Sequence, residues 1–319
     1  EEYFFYNLND AQQLSFEDKT RFVGWRKLDA IERACIPADW WAVVEDKLIL
    51  YSLLHDLDLP IPKIFGLCHP FRRFSGAKTL VSTTEVESFL RTKAHYPFFG
   101  KPNSTGRGMG LQAVLSYEEA SDAIKLIDGS TVEVGEFAQG VSGYAGVYIF
   151  QEMLMPHPAL AEITAGRVCT ARLVVLVGNE GPDLACGALR MAVGSNAGDN
   201  YSTPGNMVGG IDVKTGRVAR MVTSFGPDFR EVAEHPESQA PLRDVQIPDW
   251  DQVKRTVLQC GAAAPGVRFQ GWDIAFTDRG PVAVEANAGS DPTSLQIGNG
   301  FGLLNEAFER FLVDFDVRM

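Results

Sequence analysis

Residues 271–287 read GWDIAFTDRGPVAVEAN, and they predict a β-hairpin with acidic side chains on one face. Two apolar runs flank Asp278-Arg279-Gly280, a pattern typical of a three-residue loop with glycine at its last position. If the hairpin is symmetric about Arg279, Asp273 lies opposite Glu285 with β-carbons about 5 Å apart. Asn287 then shares their face, since side chains alternate along a strand. The opposite face is apolar and predicts a core contact; it carries Trp272, Ile274, Phe276, Val282 and Val284.

The acidic face of this hairpin predicts a metal site. Two carboxylates held that close repel each other unless a cation or a proton lies between them. With the amide oxygen of Asn287, Asp273 and Glu285 offer three hard oxygen ligands, which suit Mg²⁺. The neighbouring Ala275 and Ala283 are small and uncharged, as on the floor of a site. The alternative is a solvated hairpin face with incidental acids.

Residues 101–110, KPNSTGRGMG, form a glycine-rich segment behind a lysine. Alternating glycines let backbone N–H groups turn toward an anion, and the lysine adds a point charge. The segment fits neither a Walker A loop nor a dinucleotide fingerprint, because the lysine precedes the glycines. It is either a plain hairpin turn or a phosphate cradle, and the acidic hairpin favours the cradle. The candidate phosphate-binding residues here are Lys101, Ser104, Gly106, Gly108 and Gly110.

Two arginines lie in apolar, strand-like surroundings at Arg172 and Arg190. A charge in such a place needs a partner. Each is either a structural salt bridge or a fork for a γ-phosphate or a substrate carboxylate. The long polar loop at 199–210, which ends in Gly209-Gly210, is a candidate lid over the phosphates.

Composition restricts the class of protein. The 319 residues carry a net charge of −12, which disfavours nucleic acid or an anionic membrane as the main partner. No apolar run approaches the ~20 residues that span a bilayer, and no secretory pattern opens the sequence. The five cysteines show no disulfide or zinc spacing, with Cys169 and Cys186 expected in the core. A reducing compartment, the cytoplasm, is therefore expected.

The order of elements predicts an α+β protein in three regions rather than a doubly wound parallel sheet. The regions are a helix-rich part at 1–96, a small subdomain at 97–155 and a catalytic subdomain at 156–319. Helices are expected at 116–127, 249–263 and 301–317, and around Trp40 to Leu57. Strands are expected at 98–101, 111–115, 147–154, 168–177 and 185–193, with a hairpin at 211–222.

Taken together and in this order, the motifs resemble the ATP-grasp superfamily. The sugar-transfer-associated branch, which is similar to the glutamate ligases that modify ribosomal protein tails, is the nearest in appearance. Four stretches between about residues 40 and 305 carry the resemblance. They are Asp46-Lys47-Leu48 with Leu59-Pro60-Ile61-Pro62; Lys101 with 106–110; Phe150 to Leu154; and the run from Arg172 through Arg190, Asn200 and Gly209-Gly210 to Asp273, Glu285 and Asn287.

The resemblance implies two α+β subdomains that clamp ATP, behind a short helical N-terminal region. It implies that Lys47 and Lys101 bind phosphates, and that Gln151, Glu152, Met153 and Leu154 hold adenine. Arg172, Arg190 and Asn200 would be catalytic, and Asp273, Glu285 and Asn287 would bind Mg²⁺, with Mn²⁺ as a substitute. The sequence departs from the family pattern at Leu59 and by an insertion at 156–163. The insertion leaves the ribose-binding acid unplaced, with Glu162 as a weak candidate.

The implied reaction joins a small-molecule carboxylate to an amine through an acyl phosphate. Two alternatives stay open: a small-molecule kinase, and a nucleotide-binding protein without turnover. The oligomeric state is also open.

Overall fold

Two β-sheets organise residues 14–104 and 109–315, which are the residues that the computed structural model describes. The small sheet has the order β2-β1-β7-β3-β4-β5-β6, and only β1 and β2 are parallel neighbours. Its strands are β1 (Ile64–Cys68), β2 (Lys78–Leu80), β3 (Phe98–Pro102), β4 (Gln112–Glu118), β5 (Ala123–Leu126), β6 (Thr131–Glu133) and β7 (Tyr148–Glu152).

The large sheet is antiparallel, in the order β13-β12-β10-β9-β8-β15-β16, and β11 and β14 extend it beside β10. Its strands are β8 (Thr170–Gly178), β9 (Gly181–Met191), β10 (Met207–Asp212), β11 (Arg217–Val218), β12 (Met221–Thr223), β13 (Arg230–Val232), β14 (Val245–Gln246), β15 (Phe269–Thr277) and β16 (Gly280–Ala288).

Helices cover both sheets. In the described ranges they are α1 (Phe16–Thr20), α2 (Trp25–Cys35), α3 (Trp41–Glu45), α4 (Lys47–Asp56), α5 (Thr83–Leu90), α6 (Val134–Ser142), α7 (Pro158–Ala161), α8 (Trp250–Ala263), α9 (Pro292–Asn299) and α10 (Glu306–Val313). Helices α5 and α6 bury Phe89 and Ala138 against Phe98 and Phe150 of the small sheet. Helices α2, α8, α9 and α10 belong to the larger core around β8, β9 and β15. The α+β fold is therefore confirmed.

Helix α4 lies between the two sheets. Its Leu48 and Tyr51 pack with Ile149 of the small sheet, whereas Leu50 and Leu54 join the core of the large sheet. The helix begins where the Asp46 carboxylate accepts the Ile49 N–H at 3.0 Å, so the expected helical stretch from Trp40 to Leu57 is broken there. Because α4 contacts both sheets, it can align residues that belong to each.

The hairpin of β15 and β16 has the predicted pairing of Asp273 with Glu285, but for a different reason. Its loop contains two residues, since Thr277 pairs with Gly280. The prediction of a three-residue loop was therefore wrong. That shorter loop alone would shift the register by one residue. A β-bulge at Val284, between the Ile274–Ala283 and Asp273–Glu285 pairs, compensates for the shift. Val284, expected in the core, is half-buried instead.

The helix predicted at 116–127 is wrong, because this stretch contains the last three residues of β4 and all of β5. The turn between these strands ends at Asp122, whose φ is 48°. Its carboxylate accepts hydrogen bonds from Arg91 at 2.8 and 2.9 Å and from Tyr117 at 3.0 Å. Pairing of β4 with β3 and β5 buries Val114 and Ile124, which a helix would not bring together in this way.

Three other boundaries differ from the expectation. The small sheet contains β1 and β2, so it crosses the predicted boundary at residue 96. The C-terminal helix α10 begins at Glu306, later than expected, because Asn305 caps it by accepting the Phe308 N–H at 3.0 Å. The helix ends at Val313, before the predicted end at residue 317, and residues 316 and 317 lie outside the described residues.

Gly209 and Gly210 lie within β10 rather than at the end of a loop. A β-carbon on Gly210 would come within 2.4 Å of Asn299 Oδ1, so the glycine allows α9 to pack against this strand. In the described residues, no helix is both long and apolar enough to cross a membrane.

Candidate active site

A cleft of about 450 Å³ lies between the two sheets. The small sheet supplies Phe99, Lys101, Leu115 and Gln151 to its lining, Leu111 adds to it just before β4, and the large sheet supplies Thr170, Arg172, Arg190, Asp273, Ala275, Glu285 and Asn287. Lys47 at the start of α4 completes the polar end. The residues that sequence analysis assigned to phosphate, metal and catalysis therefore converge mostly on one cavity.

Asp273 and Glu285 are direct cross-strand neighbours, and both line the cleft. Asn287 lies on the same wall, and its Nδ2 donates to the Gly271 carbonyl at 3.2 Å. That bond leaves the amide Oδ1 as the atom available for a ligand. The predicted set of three oxygen-bearing side chains is thus brought together, whereas its role in metal binding stays a prediction.

Both candidate arginines form ion pairs with Asp273. Arg172 donates through Nε and Nη2 to the two carboxylate oxygens at 2.5 and 3.1 Å, and Arg190 Nη2 lies 2.9 Å from Oδ2. All three side chains are at most a tenth exposed. Burial alone would raise the pKa of Asp273, but Arg172 and Arg190 outweigh it and hold the pKa below its usual range. Each arginine therefore forms a salt bridge and also lines the cleft, whereas its role as a fork for a γ-phosphate or a substrate carboxylate stays a prediction.

Asp199 and Thr170, which sequence analysis missed, extend this network. Thr170 Oγ1 donates to Asp199 Oδ2 at 2.6 Å and accepts from Arg190 Nη2 at 2.9 Å. Asp199 Oδ1 is 3.6 Å from Arg190 Nη2. Burial alone would lower the pKa of Arg190, but the charges of Asp273 and Asp199 outweigh it and raise the pKa above its usual value. The guanidinium therefore stays charged. The signal for Asp199 was its position at the start of the predicted lid loop.

The two lysines have different surroundings. Lys47 Nζ pairs with Glu285 Oε1 at 2.9 Å and donates to the Asn103 carbonyl at 3.3 Å. No carboxylate in the described part of the chain forms an ion pair with Lys101. Burial lowers the pKa of Lys101 to about 8, and Lys47 adds to this effect, while Glu285 and Asp273 oppose it. A ligand anion would therefore be favoured beside Lys101.

The start of the glycine-rich loop is fixed to α4 through Asn103. Its side-chain Oδ1 accepts the Leu48 N–H at 3.0 Å, and the residue is almost fully buried. Ser104 is exposed and Gly110 is in a turn with φ 74°, and neither lines the cleft. Gly106 and Gly108 lie outside the described residues, so their predicted role is not located.

The apolar end of the cleft contains most of the predicted adenine segment. Gln151, Met153 and Leu154 line it, together with Phe99 and the exposed Met109. Glu152 departs from the prediction, because its carboxylate accepts the Lys63 N–H at 2.6 Å and pairs with Arg279 instead of lining the cleft. Glu162 is exposed on α7's end and also lies outside the lining.

The side chain of Asn206 holds the loop before β10 in place through hydrogen bonds. Its amide donates to the carbonyls of Gly198 and Asn200 at 2.9 and 2.8 Å, and its Oδ1 accepts the Val193 N–H at 3.1 Å. Arg167 adds bonds to the Gly194 and Asn196 carbonyls. Asn200, predicted to be catalytic, is consequently held in the lining of the cleft.

The charges of the cleft favour a polyanion. Its lining has the basic residues Lys47, Lys101, Arg167, Arg172 and Arg190 against the carboxylates Asp199, Asp273 and Glu285. The described residues contain no group of three or more His, Cys, Asp or Glu side chains able to hold a metal. The donor set here is two carboxylates and one amide oxygen, which fits Mg²⁺ when substrate phosphates and water complete its shell.

The sequence matches the family described as sugar-transfer-associated ATP-grasp over residues 30–310. The chain therefore belongs to this ATP-grasp family. No curated protein matches the sequence.

Three of the solved structures that the chain resembles are named as ligases. The ATP-grasp ligase PsnB in complex with a minimal precursor is 14% identical, with 88% of this chain and 64% of that chain covered and a TM-score of 0.48. D-alanine–D-alanine ligase from Bacillus anthracis is 12% identical over 86% and 66% of the two chains, with a TM-score of 0.43. Phosphoribosylamine–glycine ligase from Thermotoga maritima is 11% identical over 83% and 54%, with a TM-score of 0.45. The chain thus spans less than two thirds of the length of PsnB.

Proposed function

We propose that the chain is an ATP- and Mg²⁺-dependent ligase that joins a carboxylate to an amine through an acyl phosphate. One observation carries this proposal: basic side chains cluster around the carboxylates of Asp273 and Glu285 in one part of the cleft, while the apolar Met153 and Leu154 line it nearer the hairpin loop, where Pro156 pairs with Thr277. A nucleotide has the same polarity, with a flat base at one end and a triphosphate at the other.

The two ends of the cleft would bind different parts of the nucleotide. Phe99, Leu115, Met153 and Leu154 would contact adenine, since apolar walls with a few polar groups are typical of ligand sites. Lys47 and Lys101 would bind phosphate oxygens as point charges. Lys47 already belongs to the polar cluster through its bond to Glu285.

Asp273, Glu285 and Asn287 would hold Mg²⁺, or Mn²⁺ as a substitute. When bound there, the ion would neutralise the β- and γ-phosphate oxygens. Asp273 keeps its negative charge at neutral pH because Arg172 and Arg190 hold its pKa low despite its burial. The pair of arginines in turn stays fixed at the polar end of the cleft.

The acceptor of the phosphoryl group is inferred to be a bound substrate. Among the described lining residues there is no Cys, His or Ser, and the Thr170 hydroxyl donates to Asp199. Arg172 or Arg190 would orient the substrate carboxylate as it attacks the γ-phosphorus, since guanidinium forks bind carboxylates well. The same charges would stabilise the oxyanion that forms when the amine attacks the acyl phosphate and phosphate leaves. Asn200 also lines the cleft and would contact either substrate.

The cellular setting proposed for this reaction is the cytoplasm. All five cysteines are buried free thiols, which fits a reducing compartment.

Release of ADP in the presence of paired substrates tests the function. Purified protein is incubated with ATP, Mg²⁺ and a panel of amino acids and sugar acids, each with and without candidate amines. We expect release of ADP and phosphate that requires both a carboxylate and an amine, and hydroxylamine should trap the acyl phosphate as a hydroxamate. Phosphate retained on a hydroxyl substrate would identify a kinase instead. If the protein binds nucleotide but releases no ADP with any substrate of the panel, the alternative of a nucleotide-binding protein without turnover would be favoured.

A further inference from the structure

The bulge at Val284 decides which face of β16 carries Glu285 and Asn287. Val284 has no partner in the register, while Ala283 pairs with Ile274 and Glu285 with Asp273. A one-residue slip in a strand moves every following side chain to the other face. Without the bulge Glu285 would lie opposite Trp272, which is fully buried in the apolar core. An unpaired carboxylate there would be strongly disfavoured.

Two hydrogen bonds from outside the hairpin hold this bulge. The Tyr51 hydroxyl donates to the Val284 carbonyl, and the Ala283 N–H donates to the Pro60 carbonyl at 2.9 Å. Tyr51 is fully buried, so water does not reach its side chain to replace a lost bond. The part-buried Val284 carbonyl would lose this partner, which is unfavourable, and the strand would be expected to shift to satisfy it.

Helix α4 contacts two consecutive residues of β16. Tyr51 follows Lys47 by four residues, so the two side chains lie on the same face of α4, one turn apart. Lys47 pairs with Glu285 at 2.9 Å, while Tyr51 binds the main chain of Val284. The helix therefore contacts the bulged residue and the adjacent carboxylate together.

We propose that Tyr51 is a positioning residue for the metal site: its hydroxyl stabilises the Val284 bulge and thereby keeps Glu285 and Asn287 on the wall of the cleft beside Asp273. This inference rests on the metal role given to Glu285 and Asn287 in the proposed function. Tyr51 itself does not line the cleft.

The substitution Tyr51→Phe isolates the hydroxyl. The ring would keep its packing against Leu48 and Ile149 and its place about 6.0 Å from the Lys101 ammonium. The hydroxyl also lies 3.3 Å from Gln151 Oε1, on the strand that leads to the apolar end of the cleft. If Tyr51 instead affected nucleotide binding through Gln151, the loss of its hydroxyl would weaken binding equally with and without a metal. The proposed positioning role predicts a loss only in the presence of the metal.

The test measures how much Mg²⁺ strengthens binding of AMPPNP, a non-hydrolysable ATP analogue, by titration calorimetry in Mg²⁺ and in EDTA. The matched control is Tyr96→Phe, which removes a similar bond from a hydroxyl to the Leu90 carbonyl away from the cleft. We expect Tyr51→Phe to reduce the Mg²⁺-dependent gain in affinity at least about fivefold, as loss of one buried hydrogen bond predicts. Its affinity in EDTA should stay within about twofold of wild type, and Tyr96→Phe should keep the full gain.

The outcomes separate this inference from the proposed function. A full Mg²⁺-dependent gain in Tyr51→Phe, or equal losses in Mg²⁺ and EDTA, would overturn the positioning role. No gain in wild type would instead contradict the metal site. In that case amide hydrogen exchange still tests whether Tyr51 stabilises the bulge. Tyr51→Phe should increase exchange at residues 283–285, while Tyr96→Phe should not. Unchanged exchange in Tyr51→Phe would overturn the inference.

Discussion

Glu285 on β16 forms an ion pair of 2.9 Å with Lys47, the first residue of α4. The Lys47 side chain is 6% exposed and that of Glu285 is 28% exposed, so the pair lies at the boundary between the core and the cleft. This contact joins the helix between the sheets to the strand that carries two candidate metal ligands.

Glu285→Gln should abolish ATP turnover while the protein stays folded. The amide keeps the shape and a hydrogen bond to Lys47 but removes the negative charge proposed to bind Mg²⁺. Turnover is measured as ADP release with the substrate pair found in the panel, and folding by circular dichroism. Glu87→Gln, which alters a partly exposed pair with Arg91, is the control and should retain turnover. Wild-type rates in Glu285→Gln would show that the metal assignment is wrong.

Lys101→Ala should weaken ATP binding several-fold, because it removes the cation that lacks a carboxylate partner in the described structure. Calorimetry with AMPPNP measures the effect. Lys93→Ala removes an exposed cation paired with Glu119 and should leave the affinity unchanged. An equal affinity in Lys101→Ala and wild type would remove the phosphate role from this strand.

Nucleotide affinity should fall as the pH rises through about 8. Burial, with Lys47 nearby, lowers the pKa of Lys101 to about 8, so the free protein loses this positive charge above that pH. Below that pH the ammonium is present and binding is at its strongest. Lys101→Arg should flatten the profile between pH 7 and 9, since a guanidinium stays charged there. If the affinity of Lys101→Arg fell with pH as steeply as that of wild type, another group would be the one that titrates.

Asp273→Asn should destabilise the protein by about 3–5 kcal/mol, because it leaves Arg172 and Arg190 buried without their shared carboxylate. Urea unfolding measures the change in the free energy of unfolding. Asp122→Asn breaks an exposed pair with Arg91 and should change it by about 1 kcal/mol or less. Similar values for the two variants would mean that the arginines find other partners.

Gly210→Ala should destabilise the large sheet by about 1–3 kcal/mol through overpacking. The new methyl group would lie 2.4 Å from Asn299 Oδ1 and 2.6 Å from its Cα, so α9 would have to move. Gly140→Ala is the control: a β-carbon there meets nothing within 4 Å, and alanine is favoured in a helix. Thermal unfolding should shift in opposite directions for the two variants. A stabilised Gly210→Ala would contradict the close approach of α9.

The sequence was sufficient for features that depend on nearby residues. Alternation around residues 271–287 predicted the hairpin and the pairing of Asp273 with Glu285. It did so through two compensating differences, the shorter loop and the bulge at Val284, neither of which alternation can detect. The helix predicted at 116–127 failed because pairing of residues 116–118 with β5 outweighs local propensity in that stretch.

Features that join distant segments were not predictable in this way. Asn103 is 55 residues from its partner Leu48, and Tyr51 is 233 residues from Val284. Nothing in the local sequence around these side chains indicates such partners. The arginines show the same limit, since their apolar setting predicted a partner for the charge but not that both would share Asp273.

The central claim is that Asp273, Glu285 and Asn287 bind the divalent ion that carries the nucleotide phosphates. The most direct measurement is a crystal structure with AMPPNP and Mn²⁺, in which anomalous scattering locates the ion. The account predicts one anomalous peak within about 2.5 Å of oxygens from these side chains and from the terminal phosphates. A peak at another place in the protein, or triphosphate bound away from Lys47 and Lys101, would contradict it.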